Sequence, residues 1–298
     1  MTILVTGGSG SIGSALVMRL AASGASIRVL VRSPDKCRFP AGVEVVKGDL
    51  TDIDSIRSAL AGVRTLFLLN AVCPDELNQA MMTLNLAHSA GIDRIVYLSV
   101  TRSDVFSNVP HFAAKHACER MIEEFDISAT ILRPNYFMQN DVVLKAAIMQ
   151  DGVYPMPIGG IGLSMIDTRD IADVAAHEVL RRDQAAAPLE RTIIELSGPD
   201  VIDGASAARI WSENIGRPVH YGGDDLANWE QVIRGYMPQW MAYDICLMLD
   251  RFQQAGLAAS TADKSRLETL LGRPLRPYRD FVAETSKAWL SSTPQSNI

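Results

Sequence analysis

Two side chains one helical turn apart offer the first chemistry in this sequence. His111 and Lys115 stand in Pro110-His111-Phe112-Ala113-Ala114-Lys115, and residues four apart share a helix face. An imidazole gains or loses a proton near neutral pH. An ammonium four residues on can hold a hydroxyl or an anion. A second constellation lies at the start of the chain, in Thr6-Gly7-Gly8-Ser9-Gly10-Ser11-Ile12-Gly13. It satisfies both G-x-G-x-x-G and G-x-x-G-x-x-G. Glycine admits positive φ in a tight turn, lets backbone approach a pyrophosphate, and lets a helix pack closely on a strand. The helix that follows presents free N–H groups and a partial positive charge to the phosphates. Gly7, Ser9, Gly10, Ser11, Ile12 and Gly13 are therefore the expected phosphate contacts of a dinucleotide.

About twenty residues on, a carboxylate would mark a preference for the unphosphorylated ribose. Arg32 stands there instead, followed by Ser33 and Lys36. A guanidinium suits a 2′-phosphate through paired charge-assisted bonds, so the expected cofactor is NADP(H) in preference to NAD(H). Asp49 and Leu50, in Gly48-Asp49-Leu50, are placed to meet the adenine; Asp49 has an alternative role as the cap of a helix starting near 52.

Other chemistries find no support. Cys37, Cys73, Cys118 and Cys246 are scattered without a C-x-x-C pair and read as reduced thiols of a cytoplasmic protein. His88, His116, His177 and His220 make no metal-ligand spacing, so no metal is expected. Asp167 and Asp170 read as a helix start. No G-x-S-x-G elbow occurs. A formal net charge of −6 gives no reason to expect nucleic acid as a partner, and no apolar run reaches the length that spans a bilayer.

The elements that must position these residues follow from periodicity. Apolar strand-like runs occur at Thr2–Thr6, Ile27–Arg32, Val43–Lys47, Thr65–Asn70, Arg94–Val100 and Ser128–Arg133, separated by helical stretches at 11–23, 52–61, 75–90 and 111–125. Nearly continuous apolar strands are buried on both faces, as in a parallel sheet, and repeated strand–helix alternation gives right-handed crossovers. The expected fold class is α/β, a Rossmann-type doubly wound parallel sheet with a smaller, mainly helical C-terminal lobe. Residues 1–150 read as the dinucleotide domain and 151–298 mostly as the lobe, with about 164–197 returning to the Rossmann core. A helix is expected over 137–150, before the Gly/Pro-rich turn at 151–162. In the lobe, Trp211, Trp229, Tyr236, Met237, Trp240, Met241 and Tyr243 are either core or the wall of an apolar cleft.

The glycine turn, Leu98-Ser99-Val100-Thr101, the His-x-x-x-Lys pair, Arg133-Pro134-Asn135-Tyr136-Phe137-Met138-Gln139-Asn140 and the Asp167–Ala176 stretch (DTRDIADVAA) together resemble the NmrA-like branch of the atypical short-chain dehydrogenase/reductase superfamily. The resemblance covers nearly the whole chain. In that superfamily a Tyr-x-x-x-Lys helix does the chemistry: the tyrosine exchanges a proton with substrate, and the lysine holds the nicotinamide ribose. Here Lys115 matches and His111 replaces the tyrosine, so His111 is either the acid–base group or a wall of the site. The resemblance further implies an active-site hydroxyl at Thr101, or at Ser99, and nicotinamide-side contacts from Asn70, Ala71, Asn135, Tyr136 and Phe137. It implies an NADPH-dependent reductase of a small conjugated or aromatic acceptor, of the quinone, azo-dye, triarylmethane-dye or conjugated carbonyl or imine type. Its alternative is a redox-sensing regulator that binds the dinucleotide and a protein partner without turnover.

Overall fold

The structure, a computed structural model, describes residues 2–291. Six strands form the body of a seven-stranded sheet: β1 (Thr2–Val5), β2 (Ser26–Val31), β3 (Glu44–Lys47), β4 (Val63–Leu68), β5 (Arg94–Leu98) and β6 (Ala129–Pro134). With β8 (Thr192–Leu196) at one edge, the order is β3-β2-β1-β4-β5-β6-β8. The pairs from β3 through β6 are all parallel. The order reverses between β1 and β4, where a doubly wound sheet opens its ligand crevice. Ile3, Leu4 and Val5 are all but fully buried; β1 is apolar beyond Thr2 because helices cover both of its faces.

Five helices connect and cover the strands: α1 (Ser11–Ala22), α2 (Ile53–Leu60), α3 (Glu76–Ser89), α4 (Pro110–Glu124) and α5 (Thr168–Gln184). On one face Ile56, Leu60, Leu84, Cys118, Met121 and Ile122 of α2, α3 and α4 pack against Leu30, Leu66, Ile95 and Ile131 of the strands. On the other, α1 and α5 run together, with the Arg19 guanidinium on the Asp173 carboxylate. The fully buried Arg182 of α5 donates from Nε to Thr130 Oγ1 (2.7 Å) and from Nη2 to the Glu190 carbonyl (2.9 Å). This fastens α5 to β6.

The chain divides into two compact units. The first contains Met1–Pro134 and Thr168–Glu195, the second Asn135–Asp167 and Leu196–Ile298. The sequence reading put the first boundary at 150; it falls instead at the end of β6, because 135–150 is not the next Rossmann helix. Met138–Leu144 is a 3₁₀ segment and Ala147–Asp151 a π turn. There the buried Asp141 receives hydrogen bonds from Tyr154 and Tyr278 of its own unit. The segment that returns to the first unit is Thr168–Glu195.

The second unit holds a two-stranded parallel pair, β7 (Val153–Tyr154) with β9 (His220–Tyr221), that the Gly/Pro-rich sequence does not announce. Its helices are α6 (Gly204–Ile215), α7 (Leu226–Ile233), α8 (Gln239–Ala255), α9 (Thr261–Leu271) and α10 (Tyr278–Ser291). Trp211 is fully buried and stacks on Trp289, with ring centroids 4.8 Å apart, so it is core and not a cleft wall. Tyr236, Trp240 and Tyr243 are exposed, while Trp229, Met237 and Met241 are half-buried.

Candidate active site

The phosphate turn is built from backbone. Gly7 takes φ +65°, a conformation that any side chain would strain. A Cβ on Gly13 would lie 2.2 Å from the Gly7 carbonyl oxygen, so only glycine lets α1 start this close to the turn. Gly10 is the N-cap of α1 and supplies no side-chain acceptor, so the first N–H groups of the helix are left for a ligand. Ser9, Gly10 and Ser11 are exposed along it, and Ile12 and Gly13 are buried beneath.

The turn is tied to the neighbouring strand end. Thr6 Oγ1 donates to the Leu69 carbonyl (2.9 Å) and accepts from the Leu69 amide (2.8 Å). Next to Leu69 stands Asn70, 5% exposed, whose Oδ1 and Nδ2 both lack a hydrogen-bond partner. Buried carboxamides are normally satisfied, and an orphaned one beside an open phosphate turn marks a place for a polar ligand. A nicotinamide dinucleotide fits this donor set: N–H groups for phosphates, a carboxamide for the nicotinamide half, cations further out. Ala71, the next residue, is exposed.

Arg32, Ser33 and Lys36 are exposed just past β2. Asp49 accepts from the Thr51 amide and hydroxyl, both at 2.9 Å. These bonds hold its carboxyl below the usual range, and the nearby Arg32 charge acts in the same direction. The helix is capped by Asp52, whose side chain accepts from the Asp54 amide; Asp49 is occupied with its own turn, and Leu50 is half-buried beside it.

Helix α4 carries His111, Lys115 and Glu119 at successive fours. Lys115 is 7% exposed, and its Nζ donates to Glu76 Oε1 at 2.6 Å. Glu76, the first residue of α3, is itself buried. One turn along, the fully buried Glu119 accepts from Arg133 Nε (3.0 Å) and Nη2 (2.5 Å), from Ser99 Oγ (2.5 Å) and from Ser103 Oγ (3.3 Å). Ser99 is thereby spent on fastening α4 to β5. Thr101 is half-buried, and its amide donates to the Pro134 carbonyl (3.0 Å). His111 lies edge-on to Phe112 and is half-buried.

Sequence reasoning missed Glu76, Glu119 and Arg133. Glu119 carried a signal, since it continues the His111–Lys115 spacing by another four residues; Glu76 carried none. In the second unit, Asn135 Nδ2 donates to the Leu257 carbonyl and its Oδ1 accepts from the Tyr136 amide, both at 2.8 Å. Tyr136 packs edge-on against Phe252, and Phe137 precedes the 3₁₀ segment. No group of His, Cys, Asp and Glu among the described residues could hold a metal, and none of their helices is long and apolar enough to cross a membrane.

A doubly wound sheet with a glycine turn on its first crossover is the architecture of the short-chain dehydrogenase/reductases, and α4, after strand five, keeps the lysine of their helix motif as Lys115 with His111 in the tyrosine's place. The sequence model of the NmrA-like family matches residues 1–271, and the chain belongs to that family. It is 29% identical to an NAD(P)H azoreductase of Xenophilus azovorans, over 96% of this chain and 99% of that protein. It is also 29% identical to a (4-alkanoyl-5-oxo-2,5-dihydrofuran-3-yl)methyl phosphate reductase of Streptomyces griseus, with 96% and 99% covered. The fold matches that of an NADPH-dependent quinone oxidoreductase of Escherichia coli complexed with NADPH, with a TM-score of 0.82 at 23% identity over 95% of this chain and 99% of that one.

Proposed function

We propose that this protein is a reductase that transfers hydride from NADPH to a small conjugated or aromatic acceptor. The observation that carries the reading is the orphaned buried carboxamide of Asn70 beside a glycine turn, with a lysine anchored on the adjoining helix. Gly7–Gly13 would hold the pyrophosphate, Arg32 with Ser33 and Lys36 the 2′-phosphate, Asp49 and Leu50 the adenine side, and Asn70 with Ala71 the nicotinamide half. Lys115 would reach the nicotinamide ribose, since an ammonium has three donors and Glu76 takes one. When bound, the dinucleotide supplies the hydride.

His111, one turn before Lys115, would give a proton to an acceptor that needs one; Thr101, at the exit of β5, would supply the hydroxyl of the site. The names of the azoreductase and of the butenolide-type phosphate reductase support an acceptor conjugated at the atom that receives hydride.

The test is NADPH consumption against quinones, azo dyes, triarylmethane dyes and conjugated carbonyls, with NADH in parallel. Turnover with one acceptor class supports the reductase; tight dinucleotide binding with no turnover by any class favours the non-catalytic redox sensor instead. Arg32→Asp should raise the KM for NADPH by about tenfold or more while leaving that for NADH within about twofold, because one charge-assisted pair to phosphate is lost. Equal losses with both cofactors would end the 2′-phosphate assignment.

A further inference from the structure

Glu76 has no part in the chemistry that the sequence motifs announce, yet it is the residue that Lys115 touches. Both are buried, with Glu76 at 4% and Lys115 at 7% exposure, and the contact is short at 2.6 Å. Glu76 Oε2 is buried and has no hydrogen-bond partner, so the carboxylate depends on Lys115 for its compensation. The reverse dependence holds for the ammonium. A buried ion pair deprived of one member leaves an uncompensated charge, which is strongly unfavourable.

The pair also spans two helices. Glu76 is the first residue of α3, six residues after Asn70 on the same connection from β4, and Lys115 sits in the second turn of α4. The β4–α3 connection thus supplies both the orphaned carboxamide and the anchor of the lysine. A lysine side chain has four rotatable bonds and positions its head poorly unless something fixes it. Glu76 fixes it and leaves two N–H donors for a ligand.

We infer that Glu76 is the positioning residue of the nicotinamide site: it holds the Lys115 ammonium at the ribose and makes the pair electrically neutral. The inference rests on the dinucleotide reading above.

The experiment is a double-mutant cycle on binding, which needs no acceptor: Kd for NADP⁺ and NADPH by calorimetry for the wild type, Glu76→Gln, Lys115→Met and the double variant. Glu76→Gln should weaken binding about tenfold when Lys115 is present and less than twofold when residue 115 is methionine. Thermal stability should be lower in each single variant than in the double, which restores neutrality. An equal loss of affinity in both backgrounds, or no loss in either, overturns the inference, since a merely structural carboxylate would act independently of Lys115. Should Glu76→Gln not fold, Glu76→Asp replaces it in the same cycle, because it keeps the charge and withdraws the anchor by one methylene. A wild-type protein that binds neither dinucleotide would sink the underlying reading, and the inference with it.

Discussion

Glu119 in the first unit and Asp141 in the second are both completely buried, and the two are compensated in opposite ways. Glu119 in the first unit meets the Arg133 guanidinium through two bonds, with Ser99 and Ser103 filling its remaining positions. Asp141 in the second meets only neutral donors. The Tyr278 hydroxyl and the Tyr154 hydroxyl (3.2 Å) donate to it, and Trp211 Nε1 supports Tyr278 from behind at 3.0 Å. Burial pushes Asp141 up to about 7, and those donors oppose the rise without cancelling it. The first arrangement keeps a charge fixed beside the strand ends where the candidate site lies. The second ties β7, α6, α10 and the 3₁₀ segment together around a group poised at neutrality.

The largest effect should come from breaking the charged arrangement. Arg133→Met leaves Glu119 buried without its cation and should cost about 3–5 kcal/mol in urea unfolding; Glu119→Gln together with Arg133→Met should cost less than Arg133→Met alone. A single-variant loss under about 1 kcal/mol would mean that the two carboxylates are not so different after all.

The neutral arrangement should show itself in pH. Because the folded-state value of Asp141 lies above the ordinary 3.8, the native state retains a proton that the unfolded chain releases. Its stabilising contribution is complete below about pH 4 and is lost as pH rises toward 7. Relative to Asp141→Asn, the wild type should therefore lose roughly 2–4 kcal/mol of stability across that interval. Parallel curves for the two proteins would remove the contrast.

The smallest expected effect tests the polar residue at the head of the charged row. His111→Phe leaves the Lys115–Glu76 and Glu119–Arg133 ion pairs standing. Turnover of a triarylmethane cation, which becomes neutral on accepting hydride and needs no proton, should change less than about twofold. Turnover of a quinone, whose oxygen must be protonated, should fall by about tenfold or more. Equal effects on both acceptors would remove His111 from proton transfer.

The sequence shows what is local and periodic. Strands such as Thr2–Val5 and Arg94–Leu98 are apolar after their first residue, and the glycine spacing of Gly7, Gly10 and Gly13 encodes the turn without reference to any distant residue. His111 and Lys115 could be placed on one face from spacing alone. What stayed hidden depends on partners far along the chain. Glu76 lies 39 residues from Lys115, and Tyr278 lies 137 from Asp141. Helical periodicity over 137–150 misled because those partners hold Asp141 inward, and the backbone is tightened to 3₁₀ over Met138–Leu144 and widened to a π turn over Ala147–Asp151. The exposed Tyr236, Trp240 and Tyr243 show the converse: an aromatic-rich composition does not say which rings are covered.

The interleaving of the two units bears on how the chain is made. The α5 helix and β8 of the first unit lie beyond Asn135–Asp167 of the second. On a ribosome adding about 5–20 residues per second, the sheet through β6 emerges some 3–12 s before its last strand. During that interval β6 is a bare sheet edge and α1 has no α5 beside it. A nascent chain halted shortly after Pro134 would therefore present an unpaired edge, the kind of surface that recruits chaperones or another strand.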